Sequence, residues 1–297
     1  MKRTDLALEA RELWGERAGG GLPAGVSAEE REEAGCRVEA LRIASPEGAE
    51  ALGKPEGTYI TLTPEAFLRR EEGAFEAAAV LLGRLLRELL GLGKEASVLV
   101  AGLGNEAVTP DGLGPRTLRH VLATRHLVEA RPESFGFFRP TAVLETGVLG
   151  NTGMESAELV KAVAEKLRPD AVIAVDALAA RRLGRVCRTV QLTDTGVVPG
   201  SGVGNRRSEL NRETLGVPVI AVGVPTVVDA GTLAADLTEL AGIGSPAPED
   251  FGKHGEEMIV TPRDIDEKLS AVARLLGYGI DLALHDLGPA DVTALVG

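Results

Sequence analysis

From Ser97 onward, short apolar runs recur at regular intervals: SVLVAGL (Ser97–Leu103), TAVLE (Thr141–Glu145), AVIAVDAL (Ala171–Leu178), TVQLTDT (Thr189–Thr195) and PVIAVGV (Pro218–Val224). Most are continuously apolar rather than alternating, which is the pattern of strands covered on both faces. Helical patterns lie between them, notably Pro115–Glu129, with proline at the first helical position, and Glu155–Arg168. Strand and helix in alternation predict an α/β fold: a mostly parallel, doubly wound sheet flanked by helices. Arg263–Leu284 reads as a last helix packing on the outside. Upstream, Val80, Leu81, Leu85 and Leu89 form an apolar stripe on a predicted helix Ala74–Leu90. Arg37–Ile43 and Thr58–Leu62 read as a hairpin and therefore as a small additional N-terminal edge sheet. The first 35 residues predict a short helix, Thr4–Arg17, then a flexible stretch with glycines at 19–21 and acids at 29–33. The regular rhythm favours one elaborated α/β domain over two lobes.

Composition narrows the function classes. Lys and Arg number 32 against 44 Asp and Glu, a formal charge of −12 that repels a phosphate backbone. Aromatic residues make up only 3% of the chain, too few for base-stacking platforms, so direct nucleic-acid binding is excluded. Cys36 and Cys187 stand far apart without metal-ligand spacing and read as buried, inert thiols. The N-terminus has no apolar signal core and nowhere do about 18 consecutive apolar residues occur. A soluble, cytoplasmic protein is expected.

In an open α/β sheet, ligands meet the loops at the carboxyl ends of the strands. There the sequence places Asn105 and Asp111 in GNEAVTPDGLGP, Gly147, Gly150 and Gly153 in TGVLGNTGMES, Asp176 near the end of its strand, and Asp194 and Asp229 after the next two. Asp111 has even claims to be a helix cap, and Asp194 and Asp229 read as turn or cap residues. Asp176 is harder to explain structurally, because a carboxylate inside an apolar strand must be paired, hydrogen-bonded or neutralised. The SGVGN run could cradle phosphate but lacks the P-loop pattern, and Asn205, Arg206 and Arg207 read as surface. The four histidines form no HExxH and no GxSxG elbow occurs, so a carboxylate mechanism is the economical reading.

Together, the strings RTDLALEA, EGAEALGKPEGTYITL, GLGNEAVTPDGLGP, TRHL, GVLGNTGMES, PDAVIAVDALAAR, QLTDTGVVPGSGVGNRR, ETLGVPVIAVGVPTVVD and MIVTP resemble the germination protease family of spore-forming bacteria. They run over nearly the whole chain. The resemblance implies an endopeptidase that degrades small acid-soluble spore proteins during germination, located in the forespore or spore core. It also implies an autoprocessed zymogen, a homotetramer and no cofactor or metal. The family's two proposed catalytic carboxylates fall on Asp111 and Asp176. Gly104, Asn105, Gly150, Asn151, Asp194 and Arg206 become candidates for oxyanion or substrate positioning. Thr4-Asp5-Leu6-Ala7-Leu8-Glu9 looks like a family cleavage site, so self-cleavage is expected between Leu6 and Ala7, with the acids meeting Arg206 or Arg207. That makes residues 1–6 a short propeptide and 7–297 the peptidase domain, although the family usually carries a longer propeptide.

Two related folds compete. A hydrogenase-maturation endopeptidase shares the glycine and Asp skeleton of Gly102–Gly114, but Gly112 stands where those enzymes carry a nickel-reading acid. In a purine nucleoside phosphorylase the SGVGN loop would hold phosphate. A catalytically inactive binder of spore proteins is a third reading.

Overall fold

In a computed structural model the described residues are 4–200, 208–242 and 258–296. Nine strands form one sheet: β1 Val26–Glu33, β2 Cys36–Ile43, β3 Gly57–Thr63, β4 Val98–Leu103, β5 Thr141–Gly147, β6 Ala171–Ala180, β7 Val190–Thr193, β8 Val219–Asp229 and β9 Ile259–Val260. Their spatial order is β1-β2-β3-β7-β8-β6-β4-β5, with β9 paired to β8. The four strands β5, β4, β6 and β8 are mutually parallel and form the core. Each side chain alternates between two covered faces. Val98, Val100, Ile173 and Val175 enter one apolar cluster, and Leu99, Ala101, Val172 and Ala174 the other.

The predicted edge sheet is not separate. β3 pairs with β7, and β7 with β8, both antiparallel, so the N-terminal strands extend the same sheet. Within a sheet expected to be mostly parallel, β7 runs against the core strands. A parallel return needs a crossover of a dozen residues or more, whereas only a short 3-10 turn at Leu183–Arg185 lies between β6 and β7. The acids at 29–33 belong to a strand, β1, which pairs with β2 across the two-residue turn Ala34–Gly35. Charge there suits an edge strand, since it discourages pairing with another chain. β2 and β3 do pair antiparallel, but helix Pro46–Leu52 connects them.

Helices Ala74–Leu90 and Ile265–Leu284 pack against each other on one face of the sheet, and Ser156–Leu167 covers the other. The C-terminal helix is not an outer layer, because every residue from Leu275 to His285 is buried. Close approach explains this. A β-carbon on Gly279 would lie 2.5 Å from Leu82 Cδ2, so the two helices meet at glycine. The single helix expected over Pro115–Glu129 is two, Leu113–Leu118 and Arg125–Ala130. The chain between them is tied to the start of β5, where the Thr141 amide donates to Thr124 Oγ1 at 3.1 Å.

The buried end of the C-terminal helix carries a testable pair of titrations. Burial pushes the Asp281 carboxyl up to about 7, while burial and the Arg139 guanidinium push His285 down to about 4. A raised carboxylate contributes stability that is complete below its unfolded value near 4 and is lost as pH rises through about 7. A depressed histidine has the opposite slope: stability is complete above its unfolded value near 6.5 and is lost as pH falls through about 4. Between roughly pH 4 and 6.5 the two offset each other. We expect Asp281→Asn to expose the histidine slope, so that the melting temperature of this variant climbs across that window more steeply than wild type. Parallel pH profiles would refute the assignment.

Candidate functional site

β4 sits between β5 and β6, so the chain leaves β4 to one side and returns to the other. This is a topological switch point, where the loops at the carboxyl ends diverge and leave a crevice. Asp111 and Asp176 both line a cavity of about 260 Å³ there, with Gly104, Asn105, Val148, Gly200 and Thr226. The cleft holds the two carboxyl groups among mainly apolar residues, with Asn105, Ser156 and Thr226 as the other polar side chains of its lining.

Asp111 ends a 3-10 turn, Thr109–Asp111. It does not cap the following helix, whose N-terminal residue Gly112 makes no side-chain cap bond. Instead its carboxylate accepts from the Asn105 amide at 2.8 Å, and its carbonyl accepts from the same amide at 3.1 Å. Gly104 makes this possible. Its φ is +107°, and a β-carbon there would stand 2.0 Å from the Asp111 carbonyl oxygen. The Asn105 amide is therefore engaged in holding Asp111.

Asp176 lies within β6, because the strand continues to Ala180. It is 5% exposed. Its Oδ1 accepts from the Ala177 amide at 2.9 Å. Burial foremost, and then the charge of Asp111, raise its carboxyl well above the usual range, against the opposing pull of hydrogen bonds from Ala177 and Gly200. Two carboxyl groups on one cavity, with only one readily ionised, have the chemistry that an acid and base pair requires.

The remaining candidates are dispersed. Asn151 turns back on its own loop, where its Oδ1 accepts from the Val148 amide at 2.8 Å, and Gly150 is exposed. Of that loop Val148 lines the cavity, while neither Gly150 nor Asn151 does. Asp194 accepts from the Thr58 amide at 2.7 Å, a link between sheet strands. Asp229 caps helix Ala230–Leu240 by accepting from Thr232 at 2.8 Å. The whole SGVGN run, Asn205 included, and Arg206 and Arg207 lie outside the described residues. Cys36 and Cys187 are buried, and burial pushes each thiol to about 11, which leaves no ready thiolate nucleophile. Among the described residues no three His, Cys, Asp or Glu side chains group to hold a metal ion, and no helix is long and apolar enough to cross a membrane.

A second cavity of about 300 Å³ opens on the other side of Asp176 and contains Asp5, Lys54 and Gln191. The N-terminal segment is docked along it. Asp5 exchanges two bonds with Ala179, its amide donating to the Ala179 carbonyl at 2.9 Å and its carboxylate accepting from the Ala179 amide at 2.8 Å. Leu6 is fully buried among Leu178, Ala180, Val186, Val228 and Ile265. Its carbonyl accepts from the Ala10 amide at 3.1 Å, so the Leu6–Ala7 peptide bond opens helix Ala7–Ala18 rather than lying extended. Glu9, fully buried, accepts from the Arg181 and Arg182 amides at 2.6 and 3.0 Å and pairs with Arg185 at 3.1 Å. The Asp5 carboxylate thus meets β6 backbone, Glu9 meets Arg185 and the amides just beyond β6, and Lys54 donates to the Thr4 and Asp5 carbonyls. Lys54 and Gln191 fall within the strings EGAEALGKPEGTYITL and QLTDTGVVPGSGVGNRR, but nothing in those strings singles them out as site residues. They matter because the fold brings residues 49 and 184 positions away against the N-terminus.

Comparison with known proteins adds an independent line. Residues 7–241 match the family model described as germination protease. A germination protease of Caldanaerobacter subterraneus subsp. tengcongensis is 43% identical over 95% of this chain and 94% of its own. One from Clostridium perfringens is 38% identical over 95% of each chain. The Bacillus subtilis germination protease is 36% identical, covering 96% of this chain and 93% of its own.

Proposed function

Because the chain belongs to the germination protease family, we propose that it is an endopeptidase that begins the breakdown of small acid-soluble spore proteins when a spore germinates. The observation that carries the mechanism is the buried Asp176, its proton held by burial and by the charge of Asp111 on the same cavity. In this reading Asp111 is the ionised member and Asp176 the protonated one. Asp111 takes a proton from water as the water oxygen attacks the peptide carbonyl carbon. Asp176 donates its proton to the carbonyl oxygen; as the carbon–nitrogen bond breaks, the departing amine takes from Asp111 the proton that came from water, and a hydroxyl of the collapsing intermediate returns a proton to Asp176. Water is consumed and one carboxyl and one amino terminus result. The titration belongs to the pair, so a pH–rate profile reports two macroscopic values.

The protein is made as a zymogen in the spore core and acts as a homotetramer, on this reading, with residues 1–6 as the propeptide and residues 7–297 as a single peptidase domain. Self-cleavage at Leu6–Ala7 fits a segment that lies beside Asp176. The same geometry accounts for restraint, since the bond is buried and its carbonyl is bonded to Ala10. The first helical turn must unwind before water can reach it.

One incubation tests both claims. Purified protein mixed with a small acid-soluble spore protein at mildly acidic pH should produce discrete internal cuts in the substrate, and mass spectrometry should show the chain losing Met1–Leu6. Intact substrate that nonetheless binds would favour an inactive binder, and an unchanged N-terminus would end the self-cleavage proposal.

A further inference from the structure

The contacts that hold Thr4, Asp5 and Leu6 are mostly contacts to backbone. Lys54 Nζ donates to the Thr4 carbonyl at 3.3 Å and to the Asp5 carbonyl at 2.9 Å. The Gln191 side chain accepts from the Ala7 amide at 2.7 Å and donates to the Asp5 carbonyl at 3.4 Å. Ala179 supplies an amide and a carbonyl at the end of β6, three residues from Asp176. An apolar hole takes the Leu6 side chain. Groups that read peptide backbone, placed beside one selective hole, are what an extended peptide needs for recognition.

Lys54 is half-buried, and the bonds of its ammonium run to two backbone carbonyls of the N-terminal segment, those of Thr4 and Asp5. With Thr4–Leu6 displaced, its ammonium would face the cavity that also contains Asp176.

We propose that Lys54 is a specificity-determining residue of the cleft, binding the backbone of the two residues before the apolar one in a bound peptide, and that Thr4–Leu6 occupies this position as a mimic of substrate. The inference rests on the peptidase reading for what is bound, and its test reads binding alone.

A fluorescent, end-blocked hexapeptide, Thr-Asp-Leu-Ala-Leu-Glu, is titrated by anisotropy into the full chain carrying Asp111→Asn, so that hydrolysis does not consume the probe. Adding Leu6→Gly empties the apolar hole and weakens the resident segment, and the hexapeptide should then bind about tenfold tighter. Adding Lys54→Met to that chain should reverse the gain by about tenfold, the loss of a charge-assisted bond, and Lys54→Arg should restore part of it. A tetrapeptide Leu-Ala-Leu-Glu, lacking the pair that Lys54 reads, should be indifferent to Lys54→Met. Equal loss for both peptides, or loss for neither, overturns the proposal. Should Lys54→Met fail to fold by thermal melt, the two peptides on the Leu6→Gly chain decide: a hexapeptide that binds no tighter than the tetrapeptide overturns it. Hydrolysis enters none of these readouts, so failure to cut a spore protein remains a separate result.

Discussion

Asp111→Asn and Asp176→Asn should each fold and each lose peptide cleavage, by about 10²- to 10⁴-fold, the range for removing a positioned general acid or base. The substitutions are nearly isosteric and each keeps an acceptor oxygen where the structure uses one. In Asp176→Asn the side-chain oxygen still faces the Ala177 amide, and in Asp111→Asn it still faces the Asn105 amide. Stability gives the test a second reading. A carboxyl whose folded value is raised contributes stability only at low pH and becomes a burden as pH rises, because the unfolded chain ionises it freely. Asp176→Asn should therefore melt at a higher temperature than wild type at pH 7.5 while losing activity. Loss of activity together with a lower melting temperature would indicate structural damage, and full hydrolysis by either variant would sink the dyad. Asp111→Asn carries a further signature. It removes a charge that raises the Asp176 value, so residual activity should have its basic limb moved to lower pH.

Glu9→Ala should be the most destabilising single change in the N-terminal segment, at roughly 3–5 kcal/mol, the usual cost of stripping one partner from a buried ionic group. Glu9 has no exposure, and its carboxylate satisfies two backbone amides of β6's exit as well as Arg185. Alanine leaves those donors buried without an acceptor and leaves the Arg185 guanidinium with Glu12 as its remaining partner at 2.6 Å. Thermal unfolding would show the loss, and amide hydrogen exchange would locate it. Protection should fall first at Leu6–Ala10 and at Ala179–Arg182, which the carboxylate joins. A loss below about 1 kcal/mol would mean that water replaces the carboxylate, in the range of an ordinary exposed ion pair. Glu9→Gln should fall between, since it keeps acceptor oxygen but not charge.

Both predictions depend on residues of unequal visibility in the chain. Asp176 stands out in AVIAVDAL because seven apolar neighbours leave a carboxylate nothing to do there. Asp111 is legible only through its place after a strand and among glycines. Glu9 looks like any helix-surface acid, with charged residues at nearby positions, yet it is buried because the helix lies across the end of β6. The acids at 29–33 mislead in the other direction. They look unstructured but form β1, since an edge strand needs only one apolar face, supplied by Val26 and Ala28.

Local chemistry along the chain sufficed for the α/β class and the parallel core strands, because apolar periodicity is a property of neighbouring positions; the same locality marked Asp176 as an unusual residue, and the motif strings carried the family. The joining of β3 to β7, the burial of the C-terminal helix and the docking of Thr4–Glu9 against Lys54, Gln191 and Arg185 came from the tertiary structure. These depend on which faces meet over long separations, and a hydrogen bond across 184 positions leaves no periodic trace in sequence. Asp176 belongs to both accounts: a short run of residues marks it as strange, and only the fold supplies Asp111 on one side and the N-terminal segment on the other.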